Sequence, residues 1–166
     1  QIERIQGFTQ LDIGLTVNPG VIQGGTRTNV VPEEASCDVD IRVARLRDAA
    51  VVDKKFRALK PVDKRCALSV DGDLNRPPME RTREIGALFQ RAKALAAEIG
   101  VTLEESATGG GSDGNFTAAL GVPTLDGLGM VGEGAHCSNE SVLIDRMADR
   151  MAVLAGLVGG GRGDEA

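Results

Sequence analysis

The stretch "SCDVDIRVAR", residues 36–45, alternates without a break: Cys37, Val39, Ile41 and Val43 fall on one face and Asp38, Asp40 and Arg42 on the other. This is the pattern of a strand with one buried and one wet face. Such a strand is stable only when it pairs with a neighbour and a second layer covers its apolar face. The first part of the chain is therefore constrained to a sheet with a helical cover, and its neighbours supply the pieces. Leu11 to Ile22 is rich in β-formers, is interrupted by a turn at "NPG" (Asn18 to Gly20), and is followed by a second turn at Gly24 and Gly25. Asp48 to Leu59 puts Val52, Phe56 and Leu59 on one side of a helix that Pro61 ends. Cys66, Leu68 and Val70 alternate as another strand. At the front, Ile2 and Ile5 at helical spacing, stopped by Gly7, read as the last turns of a helix begun upstream. Strand, strand, helix and strand behind a partial helix fit the later part of a two-layer, ferredoxin-like α+β unit.

"DGDLNRPP" breaks the pattern and places a domain boundary near Asp71 to Pro78. Beyond it, Ile85, Leu88, Phe89, Ala92, Leu95, Ala96 and Ile99 form the apolar face of a strong amphipathic helix with Gly100 as its stop. Val101 to Glu105 reads as a strand, "SATGGGSDGNF" as a loop entering a short helix to Leu120, and Thr124 to Leu128 as another strand. A last helix carries Ile144, Met147, Ala148, Met151, Leu154, Ala155 and Val158 on one face. Helices alternating with strands predict an α/β layer with a largely parallel sheet. The closing "GGGRGDEA" reads as a loose tail, and its Arg162-Gly163-Asp164 as a chance tripeptide.

Composition narrows the function classes. The chain has 166 residues, 22 of them Gly, and no Trp or Tyr, so its core is aliphatic and many turns are tight. Scarce aromatics leave little on which bases stack, and a net charge of −5 without a basic face disfavours nucleic acid and anionic membranes. No apolar run approaches the ~20 residues of a membrane span. Cys37, Cys66 and Cys137 are odd in number, scattered and without a C-x-x-C pair, which suggests neither a disulfide framework nor a zinc ribbon. A reducing, cytoplasmic compartment fits that usage, with a periplasmic one left open. The chain opens at Gln1, without a signal segment, as though processed or part of something longer.

Several motifs bear on chemistry. "GGGSDG", residues 109–114, matches G-x-G-x-x-G, yet only Asn115 to Leu120 is available for the following helix, too little for the crossover helix of a dinucleotide fold. An anion-holding loop fits better, and a plain strand-to-helix turn capped by Ser112 or Asp113 fits equally. "DGDLNR" starts like an EF-hand loop through Asp71, Asp73 and Asn75, but Arg76 stands where the sharp turn needs Gly and Thr82 where the bidentate Glu belongs, so calcium is rejected. Arg42 and Arg76 are either forks for a substrate carboxylate or solvated charges. His136, the only histidine, lies in "GEGAHCSNES" among glycines that permit close approach, and local chemistry alone favours a surface residue over a metal ligand.

Taken together, "GGTRTNVVPEEASCDVDIRV", "NRPPM", "TGGGSDGNF" and "GEGAHCSNE" resemble, in this order and spacing, the M20 family of metallopeptidases in its glutamate carboxypeptidase branch, with relatives among the aminoacylases and the acetylornithine and succinyl-diaminopimelate deacylases. The resemblance runs from about Gln1 to Val158. It implies an incomplete lid and dimerisation domain over residues 1–75, the C-terminal part of an α/β zinc-peptidase catalytic domain over 76–158, and a flexible tail over 159–166. His136 matches the last zinc ligand, in an H-x-x-N-E segment. Asn29, Arg42 and Arg76 match contacts to the substrate carboxylate or the developing oxyanion, and Gly110, Gly111 and Ser112 match the loop lining the substrate pocket. Cys137 stands where Ser is commoner.

The family's H-x-D pair, bridging Asp, E-E pair and lid His have no counterpart in a chain with one histidine. The resemblance thus implies two zinc ions per intact site, of which this chain supplies at most one ligand, and a homodimer through the lid. It implies a small peptide or N-acyl amino acid as substrate, with an acidic C-terminal residue such as glutamate favoured. The isolated chain is expected to be inactive without the missing N-terminal half of the catalytic domain. A noncatalytic dimerisation module of the same fold, and nucleotide binding by the glycine loop, are the alternatives.

Overall fold

The alternating stretch forms the second strand of an antiparallel pair, β1 (Thr16–Gly24) with β2 (Ala35–Arg42), in register from Thr16 opposite Arg42 to Gly24 opposite Ala35. The computed structural model describes residues 1–160. "NPG" does not turn the chain. β1 runs straight through it with a bulge between Pro19 and Val21, which is where a strand tolerates a residue that lacks an N–H.

The chain divides into two units, Gln1–Glu80 with Gly109–Gly111, and Arg81–Thr108 with the residues from Ser112 onward. In the first, α1 (Ile2–Gln6) and α2 (Leu46–Arg57) contribute to the core with β1: Ile5, Leu15, Val17, Val52 and Phe56 are buried, and Val39, Ile41 and Val43 of the alternating stretch lean on them. Asp38, Asp40 and Arg42 stay exposed. Phe8 and Phe56 meet edge to face with ring centroids 5.6 Å apart, and Lys55 Nζ lies 5.4 Å from the centre of the Phe8 ring. Thr9 Oγ1 accepts the Val17 N–H at 3.1 Å, tying the segment after α1 to β1.

The strand expected at Cys66 to Val70 does not form. Val70 packs on the core, but Leu68 and Cys66 remain exposed and no ladder includes them. Alternation supplies burial for one residue here, and a strand without a pairing neighbour has no ladder.

The second unit is built on α3 (Arg83–Glu98) and α5 (Met147–Gly159), which pack against each other. Thr82 caps α3 by accepting the Ile85 N–H at 3.2 Å. At the other end Gly100 adopts φ +74, with Gly100 N–H donating to Ala97 O (3.1 Å) and Val101 N–H to Ala96 O (2.9 Å), the Schellman closure that "IGV" announces. The shorter α4 (Gly114–Ala119) ends the same way at Gly121.

The α3–α5 contact is made by small side chains. Ala92, Ala96 and Val153 are buried, and a Cβ on Gly156 would lie 3.0 Å from Leu95. Arg91, on α3, donates to Leu157 O near the C-terminus of α5 at 3.2 Å, where a cation also suits the helix dipole. The apolar face expected on α5 is misplaced: Val153, Gly156 and Leu157 face the core, while Met151, Leu154, Val158 and, ahead of the helix, Ile144 are exposed. This helix is apolar on nearly every side, so periodicity does not orient it.

The largely parallel sheet is also not what the described residues form. They hold two two-stranded antiparallel sheets, β1–β2 and the short β3 (Gly132–Glu133) with β4 (Ser141–Val142). Val101 to Glu105 and Thr124 to Leu128 run without ladder partners, although Val101, Leu103 and Leu125 lean on the core. The fold is thus a mixture of helices and small sheets, consistent with an α/β domain of the resembled family. α5 runs to Gly159 with Gly160 as cap, and the remainder of the expected tail, 161–166 with its Arg-Gly-Asp, lies outside the described residues. No helix among the described residues is long and apolar enough to cross a membrane.

Ala96 is 0% exposed at the helix contact, so Ala96→Leu overpacks it and lowers unfolding free energy by about 1–3 kcal/mol. The exposed neighbour change Ala97→Leu stays within about 0.5 kcal/mol. Urea unfolding of the two variants checks the difference.

Candidate functional site

His136 sits at the tip of the loop that joins β3 to β4. Two consecutive turns shape it, with Cys137 N–H donating to Gly134 O (2.8 Å) and Glu140 N–H donating to Cys137 O (3.1 Å). Below the pair, Leu143 N–H donates to Val131 O at 2.9 Å. His136 itself has φ +67, the only non-glycine left-handed residue among those described. Histidine tolerates that region better than most residues. Its backbone N–H donates to Glu140 Oε2 at 3.4 Å, and the residue is exposed.

Two glycines make the loop possible. Gly134 is left-handed (φ +69), and a Cβ on Gly132 would overlap the carbonyl oxygen of Ser141.

A structural zinc ion takes four N, S or O ligands, and a catalytic one takes three from the protein. Among the described residues no group of three or more His, Cys, Asp or Glu is placed to hold a metal. The donors present therefore do not fit a zinc site by themselves; His136 offers one imidazole.

The glycine loop enters α4 through Ser112. Its hydroxyl donates to Asp126 Oδ2 at 2.6 Å and accepts the Gly114 N–H at 3.1 Å, while Ser112 N–H donates to Asn115 Oδ1 at 2.9 Å. The hydroxyl is thus committed to holding the start of the helix. A Cβ on Gly114 would crowd this arrangement, lying 3.1 Å from Ser112 Oγ and 3.2 Å from Thr124 Cγ2. Thr117 and Thr124 hydroxyls pair at 2.8 Å on the same side.

In the first unit, Arg42 at the end of β2 donates from Nε to Asp40 Oδ2 at 2.8 Å and from Nη1 to Gly109 O at 3.3 Å, beside Gly110 and Gly111. The hydrogen bond to Asp40, and then its charge, raise the Arg42 pKa above its usual value. The guanidinium is a permanent cation, half exposed to solvent. Arg76 is exposed, in a bend immediately before Pro77 and Pro78. Asn29 is exposed in the loop between β1 and β2, near a turn closed by Val30 N–H to Arg27 O at 3.3 Å. It lies in the loop beyond Ala35, whereas Arg42 ends the strand at its other end, and a strand of that length spans roughly 23 Å. The structure brings Arg42 to the glycine loop, while Asn29 follows the opposite end of the strand pair.

Sequence reasoning missed Asp126 and also Arg150, which donates from Nε to Gly129 O at 2.8 Å. "LDG" offered a signal for the first, because an Asp before Gly favours a side-chain-closed turn; Asp126 Oδ1 does accept the Gly127 N–H at 2.7 Å. Replacing Gly132 with Ala is expected to open β3–β4, removing exchange protection from Cys137 and Leu143 amides while α3 amides keep theirs. Amide exchange followed by NMR checks this.

The profile of Peptidase family M20/M25/M40 matches residues 5–159. The chain is 30% identical over 148 residues to carboxypeptidase G2 of Pseudomonas sp. (strain RS-16), covering 87% of this chain and 36% of that protein. It is 26% identical over 154 residues to the uncharacterized protein YqjE of Bacillus subtilis (strain 168), covering 90% of this chain and 40% of that one. The chain thus spans well under half the length of either relative. With a family match over nearly all its described residues, the chain belongs to peptidase family M20/M25/M40.

Proposed function

We propose that this chain is the C-terminal part of a zinc-dependent hydrolase that cleaves the amide bond of a peptidyl or N-acyl amino acid bearing a C-terminal carboxylate, with glutamate the favoured residue. The family match over residues 5–159 carries the reading, and the likeness to a carboxypeptidase supports its substrate class. In this reading residues 1–75 belong to a lid that pairs two copies of the protein, and residues 76–158 to the catalytic domain. His136 would hold one of the two zinc ions of an intact site, and the metals would supply activation of a water there. At most one of their ligands, His136, comes from this chain, and the others come from residues outside it.

This chain's own contribution is orientation. Arg42 is the group best suited to fork onto the substrate carboxylate, exchanging its Asp40 contact for the incoming anion. Arg76 and Asn29 are proposed as further contacts to the carboxylate or oxyanion. Backbone of Gly110 and Gly111 lines the pocket, and Ser112 fixes where that loop ends. Holding one end of the amide in register lowers the entropy lost on reaching the transition state.

The test is hydrolysis of N-acyl-L-glutamate by the full-length protein that contains this chain. Zinc-dependent release of glutamate is expected, with loss of at least about a thousandfold in His136→Ala and a raised KM in Arg42→Gln. No hydrolysis by the full-length protein, or full activity after removal of His136, overturns the proposal in favour of the noncatalytic module.

A further inference from the structure

Two of the motif loops in the second unit, the one ending at Ser112 and the hairpin carrying His136, are joined by the chain between residues 120 and 131, and the middle of that chain is held from two sides. From one side, Asp126 accepts the Ser112 hydroxyl at 2.6 Å through Oδ2 and its neighbour Gly127 N–H at 2.7 Å through Oδ1. From the other side, Arg150 on α5 donates from Nε to Gly129 O at 2.8 Å and from Nη2 to Gly127 O. Gly127 is left-handed (φ +72), a conformation that suits glycine. Three residues past Gly129 the chain enters β3 at Gly132, and the hairpin follows.

We infer that Arg150 is a positioning residue that ties both the Ser112 end of the glycine loop and the His136 hairpin to helix α5. A guanidinium suits the task, because its planar fork meets two carbonyls at once where an ammonium has no fixed fork. The hydroxyl of Ser112 then passes the constraint on to the start of α4 through the Gly114 N–H at 3.1 Å. That the two loops serve an active site rests on the proposed function; the tie itself does not.

Amide hydrogen exchange of the 166-residue chain and two variants tests it. In Arg150→Met, the amides of Gly114, Cys137 and Leu143 are expected to exchange about tenfold faster or more, while α3 amides such as Ala96 stay within about twofold. Arg150→Lys keeps a donor and recovers part of the protection. Uniform acceleration across the unit, no change at the three loop amides, or a Lys variant as fast as the Met variant overturns the inference. If Arg150→Met does not fold, the Arg150 Nε–H of the unaltered chain decides: slow exchange supports the tie, and exchange at the rate of free arginine overturns it. Hydrolysis by the full-length protein does not enter this readout, so the two readings fail separately.

Discussion

The contact between α3 and α5 is the interaction on which the second unit depends. Ala92, Ala96 and Gly156 bring the two backbones close, and Val153 and Leu95 fill what remains. Each small residue buries little area, so the strength of the contact comes from tight packing of many atoms rather than from a few large side chains. A glycine within α5 costs about 1 kcal/mol against alanine, and at Gly156 the close approach of Leu95 offsets that cost. Arg91 secures the far end of α5, and the extended segments from Val101 and around Leu125 lean on the same core. Since Arg150 reaches the loop at Gly127–Gly129 from α5, the placement of the motif loops follows from the helix pair.

What was legible in the sequence was local. The alternation at 37–43 gave β2 its buried and wet faces, and the spacing from Ile85 gave α3, capped by Thr82 and stopped at Gly100. What was not legible depended on partners distant in the chain. Cys66 to Val70, Val101 to Glu105 and Thr124 to Leu128 carry strand-like patterns, but a ladder needs a neighbour, and among the described residues none pairs with them. "NPG" suggested a turn because Pro and Gly make turns and bulges alike, and only the register of β2 decides between them. α5 was placed but not oriented, since an apolar residue stands on nearly every side of it.

The same division holds at the candidate site. His136 drew notice by its rarity, yet its left-handed backbone and the carbonyl that excludes a side chain at Gly132 are properties of the hairpin. Ser112 belongs to a loop that can both line a pocket and cap a helix, and its hydroxyl accepts the Gly114 N–H at the start of α4. Its partner Asp126 stands 14 positions away, beyond the reach of a local pattern. Arg42, expected to meet a carboxylate, already meets that of Asp40, so an incoming substrate would exchange one carboxylate for another.

Membership of the M20/M25/M40 family and a single histidine underlie the proposal that the chain orients a substrate and lends one ligand to metals held mainly by other residues. Calorimetric titration of zinc into the isolated 166-residue chain tests this most directly. The account predicts binding weaker than micromolar and no stoichiometric site. Tight binding in a defined ratio to the chain, abolished by His136→Ala, would contradict it.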